Sequence, residues 1–277
     1  MADVVADLDQ YREQGWLMAD FSLDDDLLEA LREGILRVSA QRRSEVVFES
    51  GTDVVRAVHG CHMYDPFFGR IVRHPQFVQL AQAILGEDVY LYQFKINMKL
   101  PFEGAAWPWH QDFTFWHNED GMALPKAVNL MVFIDDAHEA NGPLRLIPGT
   151  HVVLEDLAGG NERRADWRSH VSADLAYTIP AEIVKQLVAE RGEQILLAPA
   201  GRVCAFHPSL VHASSSNLSA DRRAMMILTY NAVSNAPASP TRPEFLVNRD
   251  ATPLPVEPLS EWLRSLAVCG EYRRRSL

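Results

Sequence analysis

The sequence predicts a mainly β protein with peripheral helices, a two-sheet antiparallel jelly roll, and two observations carry that prediction. From Val89 onward, short runs rich in β-formers recur between Gly, Pro, Asn and Asp: VYLYQFKINMKL, AVNLMVFIDDA, PLRLIP, QILLAP, RVCAFHP and RAMMILTYNAV. Such a rhythm suits a sandwich or barrel of antiparallel strands. Before Val89 the apolar residues mostly recur at helical spacing instead.

Taken in order, Val4, Val5, Leu8 and Tyr11 predict a short helix that stops at Gly15, and WLMADF reads as a strand. Ser22 with Asp25 resembles a capping box for a helix bearing Leu27, Leu28, Leu31 and Ile35 on one face, with Asp24 to Asp26 in its first turn, where the helix dipole favours anions. Residues 45–58 read as a hairpin turning at Gly51-Thr52. One helix is expected over 70–85, closed by Gly86, and another over 181–190 between Pro180 and Gly192. Together these predict one domain over 1–277: helices and a hairpin over 1–88, a jelly-roll core over 89–235 and a C-terminal extension over 236–277. A polar insertion at 158–174, carrying Arg163, Arg164, Trp167 and Arg168, is expected to act as a lid.

The balance of charge narrows the partners. With 26 basic against 37 acidic residues and a formal net charge of -11, the basic residues spread along the chain, neither nucleic acid nor an anionic membrane is expected as a partner. Cys61, Cys204 and Cys269 form no CxxC pair, so neither a disulfide framework nor a thiolate zinc site is suggested. No basic segment followed by an apolar run opens the chain, and a cytoplasmic protein, monomer or homodimer, is expected.

Chemistry concentrates in WPWHQDFTFWHNED, from Trp107 to Asp120. His110 and Asp112 are one residue apart, so on an extended segment both side chains share a face and reach one ion. One imidazole and one carboxylate suit iron, manganese or zinc, and a second histidine completes a facial triad with open positions. His117, His138, His151 and His170 lie in predicted turns or in the insertion, whereas His207 and His212 lie near the exit of RVCAFHP. His212 is preferred because Arg222 and Arg223 follow at the start of the next strand, and a guanidinium beside a metal clamps a carboxylate through two parallel hydrogen bonds.

This set resembles the phytanoyl-CoA dioxygenase family of iron(II)- and 2-oxoglutarate-dependent oxygenases, and within it the ectoine hydroxylase branch. WHQDFTFWHNEDGM from Trp109 is similar to that branch's metal segment; Asn141-Gly142-Pro143-Leu144 and Ile147-Pro148-Gly149-Thr150-His151 match two further segments, and Arg223 stands eleven residues after His212. The likeness runs from about Tyr90 to Asn231. It implies a cupin-like double-stranded β-helix, with His110, Asp112 and His212 on iron(II), Arg223 and Lys99 on 2-oxoglutarate, and Gln93, Trp116 and Phe206 toward a small-molecule substrate. It also implies hydroxylation of an unactivated carbon using O2, with release of succinate and CO2; related halogenases carry a small residue in place of the carboxylate found here at Asp112. Phe113 is a further aromatic candidate for the pocket. Met225 and Ile227 stand where the branch has an asparagine and an aromatic ring, which makes the expected pocket more aliphatic and points to another amino acid derivative or a natural-product intermediate. The alternatives are ectoine hydroxylation itself, a desaturase or cyclase on the same site, a non-catalytic jelly-roll binding protein and a zinc hydrolase.

Overall fold

The computed structural model describes residues 7–153, 157 and 166–268. The first helix, α1 (Leu8–Gln14), is capped by Asp7 and closed by Gly15 at φ 81°, and strand β1 (Trp16–Ser22) follows. Helix α2 (Asp25–Ser39) starts at Asp24, whose carboxylate accepts from the Leu27 amide, so Asp24 takes the capping role expected of Ser22, which ends β1. The hairpin is present as β2 (Val46–Phe48) and β3 (Val55–His59). The single helix expected over 70–85 is instead two, α3 (Pro66–Ile71) and α4 (Pro75–Leu85). The ring of Pro75 disfavours helical geometry at His74, so the chain breaks and restarts there.

Seven strands form one sheet in the order β1-β9-β6-β11-β4-β3-β2, through β4 (Val89–Lys99), β6 (Ala127–Phe133), β9 (Arg202–Phe206) and β11 (Arg223–Ala232). Four more form the second sheet in the order β5-β10-β7-β8: β5 (Trp107–His110), β7 (Leu144–Leu146), β8 (Gln194–Leu196) and β10 (His212–Ser214). This is the antiparallel jelly roll that the sequence rhythm predicts. The two shortest partners in the site, β5 and β10, escape that rhythm because four and three residues are too few to establish a period.

β6 and β11 are buried along their whole length, on both faces. Successive side chains on a strand point to opposite faces. Ala224, Met226 and Leu228 therefore join Leu31, Ile35, Phe68, Phe77 and Val78 in a core between the large sheet and the helices, while Met225 and Ile227 face the other sheet. Each Leu, Ile or Phe so buried contributes about 1.5–3 kcal/mol. Helix α5 (Asp112–Asp120) follows β5, α6 (Ala181–Arg191) precedes β8, and α7 (Leu259–Val268) packs on α3. Of the expected lid, 158–165 lies outside the described residues; Trp167–His170 forms a 3-10 turn. Among the described residues no helix is long and apolar enough to cross a membrane.

Candidate metal centre and its cavity

Directly opposed residues on neighbouring strands share a face, so the register of the large sheet lays out the floor of the space between the sheets. Phe206, Asn129, Thr229 and Gln93 stand in one row, and Cys204, Met131, Ile227, Lys95 and His59 in the next. Phe133, Met225 and Asn97 form a third row, Arg223 and Lys99 a fourth. Rows two residues apart are separated by roughly 7 Å. A bulge interrupts β4, where Thr229 pairs with Gln93 and Tyr230 with Leu91, skipping Tyr92. Tyr92 consequently packs edge-on against Trp116, while Gln93 beside it lines the cavity.

His110, Asp112 and His212 come together over this floor, with one potential ligand atom from each lying within 4.8 Å of the others. His110 ends β5 and His212 begins β10, and the two are direct cross-strand partners with ring centroids 4.2 Å apart. Asp112 is not on the extended segment that its spacing from His110 suggests. The chain turns at Gln111, and Asp112 is the first residue of α5, where the helix dipole favours its charge. His117, expected in a loop, lies within the same helix.

Each histidine donates Nδ1–H to a carbonyl two residues earlier, His110 to Pro108 at 2.7 Å and His212 to Leu210 at 2.8 Å. That leaves both Nε2 atoms unprotonated for a metal, because the partner of one ring nitrogen sets the tautomer. Burial pushes His110 down to about 3, with His212 adding to the effect, and burial likewise lowers His212, so both rings stay neutral. For Asp112 burial pulls upward, but Lys95, His212, His110 and Asn129 outweigh it and hold the carboxyl well below its usual range. Two neutral imidazoles and a carboxylate form the donor set of a site for a divalent transition metal.

Lys95 Nζ lies 3.4 Å from Asp112, and Asn129 Nδ2 donates to the same carboxylate at 2.8 Å, with Thr229 Oγ1 donating onward to Asn129 Oδ1 at 2.6 Å. None of these three stood out in the sequence. The signal was present: Asn129 interrupts the apolar run AVNLMVF in a strand with two buried faces, and a buried amide there requires partners.

Adjacent on the chain, Arg222 and Arg223 point to opposite faces. Arg222 pairs with Asp135, whereas Arg223 is only 2% exposed and lines the cavity. Arg223 Nη2 donates to Gly142 O at 2.7 Å, and its Nε has no partner. A buried guanidinium with an orphaned donor in the same cavity as that donor set fits a ligand carboxylate. Lys99 neighbours Arg223 across the strands, but its Nζ donates to Ala105 O and Ser215 O, each at 2.6 Å, and does not reach the cavity surface. Gln93, Trp116, Phe206, Met225 and Ile227 all line the cavity; Phe113 does not, and stacks on His117 instead.

The remaining candidate histidines are held elsewhere. His207 stacks on His151, 5.2 Å between centroids, His138 meets Asp221, and His117 Nδ1 contacts Met122 O. His170 lines the cavity without joining the group formed by His110, Asp112 and His212. The chain after β11 returns alongside β4, where Asn248 N donates to Tyr92 O and Gln93 Nε2 to Leu246 O, and it places Arg242 in the cavity wall.

Comparison with known proteins agrees with this geometry. The family described as phytanoyl-CoA dioxygenase (PhyH) matches residues 11–225. The chain is 52% identical over 248 residues to L-proline trans-4-hydroxylase of Streptomyces griseoviridis, covering 88% of this chain and 92% of that one. It is 34% identical over 251 residues to ectoine dioxygenase of Bordetella parapertussis, covering 87% and 81% respectively. Among solved structures, EctD from S. alaskensis with 2-oxoglutarate and 5-hydroxyectoine superposes with a TM-score of 0.75 at 27% identity, covering 90% of this chain and 86% of that one. The same enzyme with bound Fe gives a TM-score of 0.76 at 26% identity, covering 90% and 85%.

Proposed function

The chain belongs to the phytanoyl-CoA dioxygenase family and is an iron(II)- and 2-oxoglutarate-dependent dioxygenase that hydroxylates a small molecule, and from that premise we propose that its substrate is L-proline, attacked at ring carbon 4. The observation that carries this choice is the 52% identity to L-proline trans-4-hydroxylase across 88% of the chain, against 34% to ectoine dioxygenase. Met225 and Ile227 in the cavity floor support a compact, apolar ring over a more polar one.

In this reading His110, Asp112 and His212 hold the iron. Bound iron(II), with 2-oxoglutarate and O2, supplies the oxidising power and releases succinate and CO2; the other tasks fall to the chain. The Pro108 and Leu210 carbonyls fix the two imidazole tautomers, and Asn129 with Lys95 keeps Asp112 ionised and oriented. Arg223 receives the distal carboxylate of 2-oxoglutarate through its spare donors. We assign Lys99 to bracing that end of the cavity, since it ties the Ala105 and Ser215 carbonyls beside Arg223. Gln93, Trp116 and Phe206 border the substrate, and the Trp116 and Phe206 rings keep water from the carbon to be attacked. The charge balance argues against nucleic-acid or anionic-membrane partners, and the scattered cysteines support a cytoplasmic protein.

Incubating the enzyme with iron(II), 2-oxoglutarate, O2 and either L-proline or ectoine tests the choice. L-proline is expected to release succinate in step with a product heavier by one oxygen, placed at carbon 4 by NMR. Turnover of ectoine alone would replace this reading with ectoine hydroxylation.

A further inference from the structure

The strand that carries His110 is weakly held by its own sheet. β5 lies at the edge of the small sheet and is four residues long, and its pairing with β10 shifts register between His110, opposite His212, and Trp107, opposite Ser214. The shift interrupts the ladder. On the outer side of β5, among the described residues, one backbone bond meets it, from Ile179 N to Trp109 O at 2.8 Å. Another contact must fix where the strand begins.

That task falls to a buried ion pair on the hairpin of the large sheet. β2 and β3 pair with Val47 opposite Ala57 and Phe48 opposite Val55, skipping Arg56. A bulge re-aims the side chain of the extra residue, and Arg56 reaches across to the small sheet, where its guanidinium carbon lies 3.7 Å from the centroid of the Trp107 ring. Arg56 is 1% exposed and Glu49 7%. Arg56 Nη1 donates to both Glu49 oxygens, at 3.1 and 3.0 Å, and Nη2 donates to Ala106 O at 3.0 Å. Glu49 Oε1 accepts in turn from the Ala105 amide at 2.9 Å, and Ala105 O accepts from Lys99. The two residues that lead into β5 thus give one amide and both carbonyls to charged side chains, and the first residue of β5 is stacked on one of these.

A buried ion pair is a poor source of stability, because taking two charges out of water offsets most of their attraction and apolar side chains of like volume serve as well. What this pair supplies is direction. A planar guanidinium satisfies Glu49, the Ala106 carbonyl and the Trp107 face at once, which neither an aliphatic chain nor an ammonium does.

We propose that Arg56 and Glu49 are positioning residues for the metal centre: they clamp the start of β5 from the opposite sheet, and so set Trp107 in the cavity wall and His110 among the ligands. This rests on the assignment of His110 to iron and adds what holds its strand in place. Neither Arg56 nor Glu49 lines the cavity, so both act through β5.

The test combines Arg56→Met with Glu49→Gln, which buries no lone charge and keeps an acceptor for the Ala105 amide. Anaerobic titration is expected to show the iron(II) dissociation constant raised at least about tenfold. Hydrogen exchange on the metal-free protein is expected to show the backbone of residues 105–110 exchanging at least about tenfold faster. Arg56→Lys, which keeps the charge beside Glu49 but loses the planar stack, should fall between the double variant and the native chain in both readouts. Leu31→Ala, in the helix-facing core, controls for lost stability and should keep native iron(II) affinity. A double variant that binds iron(II) within about twofold of the native chain, or whose loss Leu31→Ala reproduces, would overturn the clamp, and so would unchanged exchange over residues 105–110. Should the native chain itself bind no iron(II), the ligand assignment falls, and exchange alone decides whether the pair clamps β5.

Discussion

Asn129 donates to Asp112 across 2.8 Å from the middle of β6, and Thr229 on β11 orients Asn129 in turn. The carboxylate that faces the metal position is thus aimed by the central strands of the large sheet. Asn129→Leu is expected to weaken iron(II) binding by about 10- to 100-fold, the usual consequence of removing a partner that orients a ligand. Anaerobic metal titration reads this directly, and unchanged affinity would remove Asn129 from the metal's support.

At the other end, Arg223 leans on the Gly142 carbonyl. Gly142 has φ 80°, and a Cβ there would lie 2.6 Å from both Lys99 Cδ and Ser215 O. Gly142→Ala is therefore expected to strain the turn by about 1–3 kcal/mol and to raise the 2-oxoglutarate dissociation constant by displacing the arginine. Arg223→Ala should raise it further, by at least about tenfold. Calorimetry on both variants, with melting temperature as a control, checks the order; Gly142→Ala with native stability and native affinity would contradict it.

Lys99 gives a pH signature. Burial, with Arg223 and Arg56 adding repulsion, pushes its ammonium down to about 6, against 10.5 for a free lysine. Between those values the unfolded chain holds the proton and the folded chain does not, so the lysine's contribution to stability rises with pH across that window. Below about pH 6 both states are charged and the penalty is at its full value. Denaturant unfolding of the native chain and of Lys99→Met should show a difference that moves in favour of the native chain from pH 6 upward; a constant difference over that range would exclude a depressed lysine.

The helix-facing layer separates stability from chemistry. Leu31→Ala on α2, fully buried against the large sheet, is expected to cost about 2–5 kcal/mol of unfolding free energy while leaving the KM for 2-oxoglutarate unchanged. A shifted KM at retained fold would mean that this layer sets the cavity's shape.

What was legible in the sequence were residue types with few alternative uses. His110, Asp112, His212 and Arg223 combine into a recognisable set, and the alternating runs after Val89 name the jelly roll. The local conformation of Asp112 was not legible, because one intervening residue is compatible with a continuing strand or with the strand-to-helix turn that occurs at Gln111. Asn129 reaches Asp112 through strand register, Arg242 reaches the cavity on a returning C-terminal segment and His170 on the 3-10 turn Trp167–His170, and such long-range placement leaves no local period to read. His74-Pro75 was a readable break in the helix expected over 70–85, outweighed there by the apolar spacing on either side.

The iron and 2-oxoglutarate assignment can be tested without any substrate, by adding iron(II) and 2-oxoglutarate to the protein under anaerobic conditions and recording the visible charge-transfer absorption of the chelated keto acid. The native chain is expected to develop the band, His212→Ala to lose it, and Arg223→Ala to require at least about tenfold more 2-oxoglutarate to reach it. No band in the native chain, or a band of unchanged strength and 2-oxoglutarate dependence in both variants, would contradict it.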